Sequence, residues 1–65
     1  MTRVHYDEDA EELDITFTGG KTYRYRGVPL DIYAGLLDAE SKGQFFNDAI
    51  KDVFPFVEVR GGRKR

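Results

Sequence analysis

Tyr23-Arg24-Tyr25 is the grouping whose residue types and spacing point most directly to chemistry. Residues two apart on a strand share a face, so the two rings can stand side by side as a surface for stacked nucleobases, each worth about 1–3 kcal/mol. The same spacing serves a hydrophobic core. Arg24, between the rings, then faces the other way with Arg26, where guanidinium groups can meet phosphate. Ser41-Lys42-Gly43 is a second candidate. At a helix start the free N–H groups and the macrodipole favour an anion, Lys42 adds positive charge and Gly43 permits close approach. Ser41 and Gln44 also fit the S-x-x-Q capping box, which needs no ligand, and Asn47 one turn on supports either reading. Arg63, Lys64 and Arg65, after Gly61-Gly62, form a basic tail that is either a phosphate-binding arm or a flexible solubility feature.

Other chemistries are excluded more readily. With cysteine absent there is no disulfide, thiolate metal site or Cys nucleophile, and a small unstapled chain fits the reducing cytoplasm. His5 is the single histidine and stands at a polar-face strand position, so a Ser–His pair with Ser41 has no visible orienting partner. Asp7, Glu8, Asp9, Glu11 and Glu12 offer oxygens, yet a calcium loop over residues 7–18 needs Gly sixth and Glu twelfth, where Glu12 and Thr18 stand. No metal site, no cofactor and no catalytic residues are expected. A chain of 65 residues holds one core at most and has little surplus stability for a large substrate pocket, so neither an enzyme nor a small-molecule substrate is expected. No apolar run approaches the roughly 18 residues of a membrane span, and residues 1 to 25 lack a signal-peptide core.

The net charge of −2 conceals blocks. Residues 1 to 18 carry Asp7, Glu8, Asp9, Glu11, Glu12 and Asp14 against Arg3, whereas Lys21, Arg24 and Arg26 follow without an acid. A pI near 5.2 is far below the value above about 9 usual for a domain that grips nucleic acid over its whole surface, so any such contact is local. Along the sequence, the cations free of neighbouring acids are Arg24, Arg26 and the tail.

The elements that must position these residues follow from periodicity. Thr2 to Tyr6 alternates as a strand, residues 7–11 make an acidic turn, and Glu12 to Thr18 sets Leu13, Ile15 and Phe17 on one face. Gly19-Gly20 signals a hairpin into a third strand, Lys21 to Arg26. The register of that hairpin decides where the tyrosines point. A two- or four-residue loop would send Thr22, Arg24 and Arg26 into the core, where unpaired guanidinium groups are prohibitive. A three-residue loop with a left-handed Gly puts Tyr23 and Tyr25 on the face of Leu13, Ile15 and Phe17 and leaves Arg24, Arg26, Arg3 and His5 on the open face, shared with Glu12, Asp14 and Thr16. The odd loop is therefore expected, with both tyrosines structural. Helix one is expected from Pro29 to Ala39, with Pro29 as first helical residue and Ile32, Tyr33, Leu36 and Leu37 as its stripe. Helix two is expected from Lys42 to Asp52, with Phe45, Phe46, Ala49, Ile50 and Val53 on one side, and a short edge strand over 57–59 closes the fold.

Taken in order, Tyr6-Asp7, Leu13, Phe17, Gly20, Tyr23-Arg24-Tyr25, Val28-Pro29, Tyr33, Ser41-Lys42-Gly43, Phe46-Asn47, Ile50 and Phe54-Pro55 resemble the KTSC family, over about residues 4 to 59. That family is named for the C-terminal extension of some lysyl-tRNA synthetases and also occurs as free-standing small proteins. The resemblance implies a compact domain with a central Y-x-Y, no established biochemical function and a suspected RNA association. Phe54 replaces the family's usual Tyr, so no hydroxyl is required there, and the acidic turn and basic tail lie outside the shared pattern.

The expected fold is α+β, order βββαα(β): a three-stranded antiparallel meander with a short fourth edge strand, covered on one face by two helices. Residues 1–60 form the domain and 61–65 the flexible tail. The expected core is Val4, Tyr6, Leu13, Ile15, Phe17, Tyr23, Tyr25, Val28, Ile32, Leu36, Leu37, Phe46, Ala49, Ile50 and Val53. Two functions stay open. One is a weak RNA-binding accessory module using Arg24, Arg26, Lys42, Arg63, Lys64 and Arg65, with Tyr23, Tyr25, Ser41, Gly43 and Asn47 as structural motif residues. The other is a protein–protein interaction module with Phe45, Phe54 or Phe56 as exposed anchors.

Overall fold

Alternation does build the first half of the molecule into antiparallel strands, as seen in a computed structural model that describes residues 3–59. β1 (Arg3–Asp7), β2 (Glu12–Thr16) and β3 (Thr22–Arg26) are followed by α1 (Leu30–Asp38), α2 (Lys42–Ala49) and β4 (Phe56–Val59). The strands form one antiparallel sheet in the order β1-β2-β3-β4, so the returning chain adds β4 beside β3. The acidic turn has a local cause. Asp7 Oδ1 accepts from the backbone N–H groups of Asp9 at 3.1 Å and Ala10 at 3.2 Å, and Glu11 adopts a left-handed φ of 55° to re-enter β2.

The hairpin has the odd loop. Phe17 N–H donates to the Lys21 carbonyl at 2.8 Å across Thr18-Gly19-Gly20, and both glycines sit at positive φ, 102° and 89°. Ile15 is thereby paired with Tyr23 and Leu13 with Tyr25. The apolar face of the sheet meets both helices around a core of Leu13, Ile15, Tyr25, Val28, Leu36, Phe46 and Ile50. Fully burying each aliphatic member contributes about 1.5–3 kcal/mol. Tyr6 extends that core, its ring stacked on Tyr33 at 4.6 Å and its hydroxyl donating to the Val28 carbonyl at 2.6 Å.

Several expectations need correction. Pro29 is not the first helical residue; it precedes α1 at φ −72°, ψ 160°, and its carbonyl accepts from the N–H groups of Ile32 and Tyr33. Leu37 is 49% exposed, because it lies about 100° around α1 from Leu36, which occupies the centre of the buried face. Val53 is 59% exposed: α2 stops at Ala49 and Ile50 leaves helical geometry, so residues 51–53 turn instead of extending the stripe. Tyr33, Phe45 and Phe54 pack against the core although the expected core omitted them, and Phe45 and Phe54 are consequently not exposed anchors. The expected tail, Arg63, Lys64 and Arg65 included, lies outside the described residues.

Candidate binding groove and the arginine face

Pairing fixes the open face of the sheet. Arg24 stands opposite Asp14 on β2, Arg26 opposite Glu12, and Asp14 opposite His5 on β1. The Arg24 guanidinium grips Asp14 at two points, Nε to Oδ1 at 2.9 Å and Nη2 to Oδ2 at 3.1 Å, and Glu12 comes within 3.7 Å of Arg24 and 3.8 Å of Arg26. The hydrogen bond and charge of Asp14 hold the Arg24 guanidinium even further above its ordinary range. Neither arginine is therefore free of acids, contrary to the reading of the linear sequence. Residues remote in the chain become neighbours across an antiparallel ladder.

Lys42 is exposed at the first turn of α2, in the layer that covers the other side of the sheet, so it does not join Arg24 and Arg26. Ser41 Oγ accepts from the Gln44 N–H at 3.2 Å, a side-chain N-cap. The reciprocal half of the box is absent, because the Gln44 amide donates to Asp48 instead. A Cβ at Gly43 would meet nothing within 4 Å, so packing does not demand glycine there, and Asn47 is exposed.

On the helix side the sheet ends in an aromatic groove. Its volume is about 460 Å³, and it is lined by Phe17, Tyr23, Tyr25, Phe46, Lys51, Asp52 and Phe56. β3 supplies the tyrosines, and β4 brings Phe56 opposite Tyr25 and Glu58 opposite Tyr23. Phe46 comes from α2, and the turn after it brings Lys51 and Asp52. Three ring pairs meet at steep angles, Tyr23 on Phe56 at 5.5 Å and 86°, Tyr25 on Phe46 at 5.5 Å and 81° and Phe17 on Phe46 at 5.4 Å and 66°, whereas Tyr25 and Phe56 lie at 5.2 Å and 33°. The edge-to-face contacts add about 0.5–1.5 kcal/mol per pair beyond area burial. Tyr25 is only 3% exposed whereas Phe56 is 50% exposed, so the floor is fixed and one wall is open to solvent. Burial is the largest influence that pushes the Tyr25 phenol above its ordinary value of 10.0, followed by electrostatic interaction with Tyr23 and Asp52.

The motif Y-x-Y thus does two things: Tyr25 is core and Tyr23 is a half-buried groove wall. Lys51 and Asp52 escaped the sequence reading, since only the turn that ends α2 early turns them to β4. Among the described residues, no helix is long and apolar enough to cross a membrane, and no group of three or more His, Asp or Glu is placed to hold a metal.

The profile of the KTSC domain matches residues 1–54. A protein of Tsukamurella paurometabola is 45% identical over 54 residues, 83% of this chain and 81% of that protein. A lysine–tRNA ligase of Nostoc punctiforme is 39% identical over 59 residues; this covers 91% of the present chain but only 10% of the ligase. The crystal structure of a KTSC domain protein from Yersinia pestis superposes with a TM-score of 0.82 at 36% identity, over 88% of this chain and 80% of that one.

Proposed function

This chain belongs to the KTSC domain family, and on that premise we propose that it is a non-catalytic binding module whose aromatic groove holds a segment of a partner protein. The observation that carries the reading is the convergence of Phe17, Tyr23, Tyr25, Phe46 and Phe56 on one open groove with Phe56 half exposed. Aromatic anchors in a partly desolvated pocket supply most of the energy of protein interfaces. The lysine–tRNA ligases share about a tenth of their length with this chain, so their catalysis is not carried over to it, which supports a non-catalytic role. The lack of cysteine supports the cytoplasm as its place of work.

A second reading, weak RNA association, is favoured by the lysine–tRNA ligase relatives. It uses Arg24, Arg26, Lys42 and the basic residues Arg63, Lys64 and Arg65. The ion pairs of Arg24 and Arg26 and the acidic pI weigh against it, because each phosphate contact must first displace a carboxylate. The test is selection of phage-displayed 12-residue peptides on the wild-type chain, beside an NMR titration with tRNA and single-stranded RNA at two salt concentrations. Peptides that lose binding on a folded Phe56→Ala variant support the protein reading. Amide shifts at Arg24, Arg26 and Lys42 with RNA at low salt, and no peptide dependent on Phe56, overturn it in favour of RNA.

A further inference from the structure

We infer that the groove accepts a cationic side chain of the partner segment, the guanidinium of an arginine or the ammonium of a lysine, seated among Tyr23, Tyr25, Phe46 and Phe56 with the Asp52 carboxylate at its mouth. The inference rests on the groove being the binding site and names what the groove binds. An aromatic ring carries negative potential over its face and positive potential at its edge. The groove rings already touch one another, Tyr25 and Phe46 at 81°, Tyr23 and Phe56 at 86° and Tyr25 and Phe56 at 33°, so an entering group meets the aromatic cluster from its open side. A cation over such faces gains about 0.5–1 kcal/mol when exposed and about 2 kcal/mol or more when desolvated.

Three further features favour a cation over a neutral apolar group. Asp52 lines the groove and, among the described residues, makes no ion pair, in contrast to Glu12 and Asp14 on the other face. Glu58 stands opposite Tyr23 in the ladder and so projects from the same face of the sheet. The Tyr25 hydroxyl has no hydrogen-bond partner among the described residues, although Tyr25 is 3% exposed and lines the groove. Its oxygen is an unused acceptor, and lysine and arginine carry only donors. Lys51 is the opposing charge. It is exposed on a flexible stem, so it competes with the incoming cation instead of assisting it.

The experiment titrates the ¹⁵N,¹³C-labelled full-length chain with acetyl-Gly-Gly-X-Gly-Gly-amide, where X is arginine, lysine, citrulline or norleucine, and follows the ring signals of Tyr23, Tyr25, Phe46 and Phe56. The arginine and lysine peptides are expected to bind about 3- to 30-fold more tightly than their neutral counterparts, the range spanned by exposed to desolvated cation–aromatic contacts. Asp52→Asn should shrink that ratio and Lys51→Gln should enlarge it; both side chains are exposed, so both variants should fold. Equal affinity for norleucine and arginine, with ring shifts for both, overturns the cation inference and leaves the groove reading standing. Ring shifts with none of the four peptides overturn the cation inference, and amide shifts from RNA beside that result overturn the groove reading as well. Weaker binding in Lys51→Gln also counts against the cation, because it marks an anionic ligand.

Discussion

Arg24 and Asp14 face one another across β2 and β3, joined by two side-chain hydrogen bonds of 2.9 and 3.1 Å. The central residue of the Y-x-Y motif is thereby committed to holding two strands together on the face opposite the groove. Because the pair is partly exposed, solvent screening limits what it adds.

A double-mutant cycle tests that role. Arg24→Ala and Asp14→Ala should each lower the melting temperature, and the double variant should melt within about 2 °C of the worse single one, since residues in one ion pair are not additive. In 1 M salt the differences should narrow. Full additivity would show that the two side chains act independently.

The two tyrosines should separate in stability. Tyr25→Ala removes a buried ring and should cost about 3–5 kcal/mol. A domain of this size holds only about 3–10 kcal/mol in total, so that variant should be largely unfolded or marginal. Tyr23 is half-buried, and Tyr23→Ala should cost about 1–2 kcal/mol while the chain stays folded. Urea denaturation decides between this and equal costs, which would mean that Tyr23 is as much core as Tyr25.

The cap at α2 gives a narrower test. Ser41→Ala should lose about 1 kcal/mol with the hydrogen bond to the Gln44 N–H. Gln44→Ala should change stability by no more than about 0.5 kcal/mol, because the Gln44 amide reaches Asp48 and not the N-cap. A Gln44 loss as large as that of Ser41 would restore the full capping box.

Where the sequence was legible, one local pattern had one solution. The Thr18-Gly19-Gly20 loop could be chosen because the alternative registers bury Arg24 and Arg26, and that choice placed both tyrosines correctly. Charge pairing was not legible in the same way. Glu12 is remote from Arg26 in sequence, and only the ladder brings them together. Val53 and Leu37 failed because apolar periodicity reports which residues could share a face, not where a helix stops or how wide the covered face is. The groove failed for a related reason: Phe56, Lys51 and Asp52 reach Tyr23 and Tyr25 only through the return of β4 beside β3.

Gly35 carried no visible signal, yet it sits where the helices meet. A Cβ there would come within 2.8 Å of Phe45 Cζ and 3.1 Å of Cε2. In an open helix, Gly→Ala gains roughly 0.5–1 kcal/mol. Here the Phe45 ring must be displaced, and overpacking typically costs about 1–3 kcal/mol, so Gly35→Ala should destabilise. A stabilised variant would mean that Phe45 swings clear without loss.

Alkaline pH should expose the two perturbed phenols. Burial is the largest cause for both, followed for Tyr6 by Glu11, Glu8, Asp31 and Asp7 and for Tyr25 by Tyr23 and Asp52, and each is raised above the ordinary 10.0. A group that holds its proton more tightly when folded contributes stability that is complete below the unfolded value and declines as pH rises through the folded one. Stability should therefore be insensitive to these groups up to about pH 10 and fall above it. Tyr6→Phe should lower stability already at pH 7, because the hydroxyl that donates to the Val28 carbonyl at 2.6 Å is gone, and should flatten the decline above pH 10. Tyr25→Phe should flatten that decline with a smaller change at pH 7, since its hydroxyl has no partner among the described residues to lose. Urea denaturation of the three proteins from pH 8 to 11 measures this directly. Parallel declines in all three would show that neither phenol governs the alkaline limb.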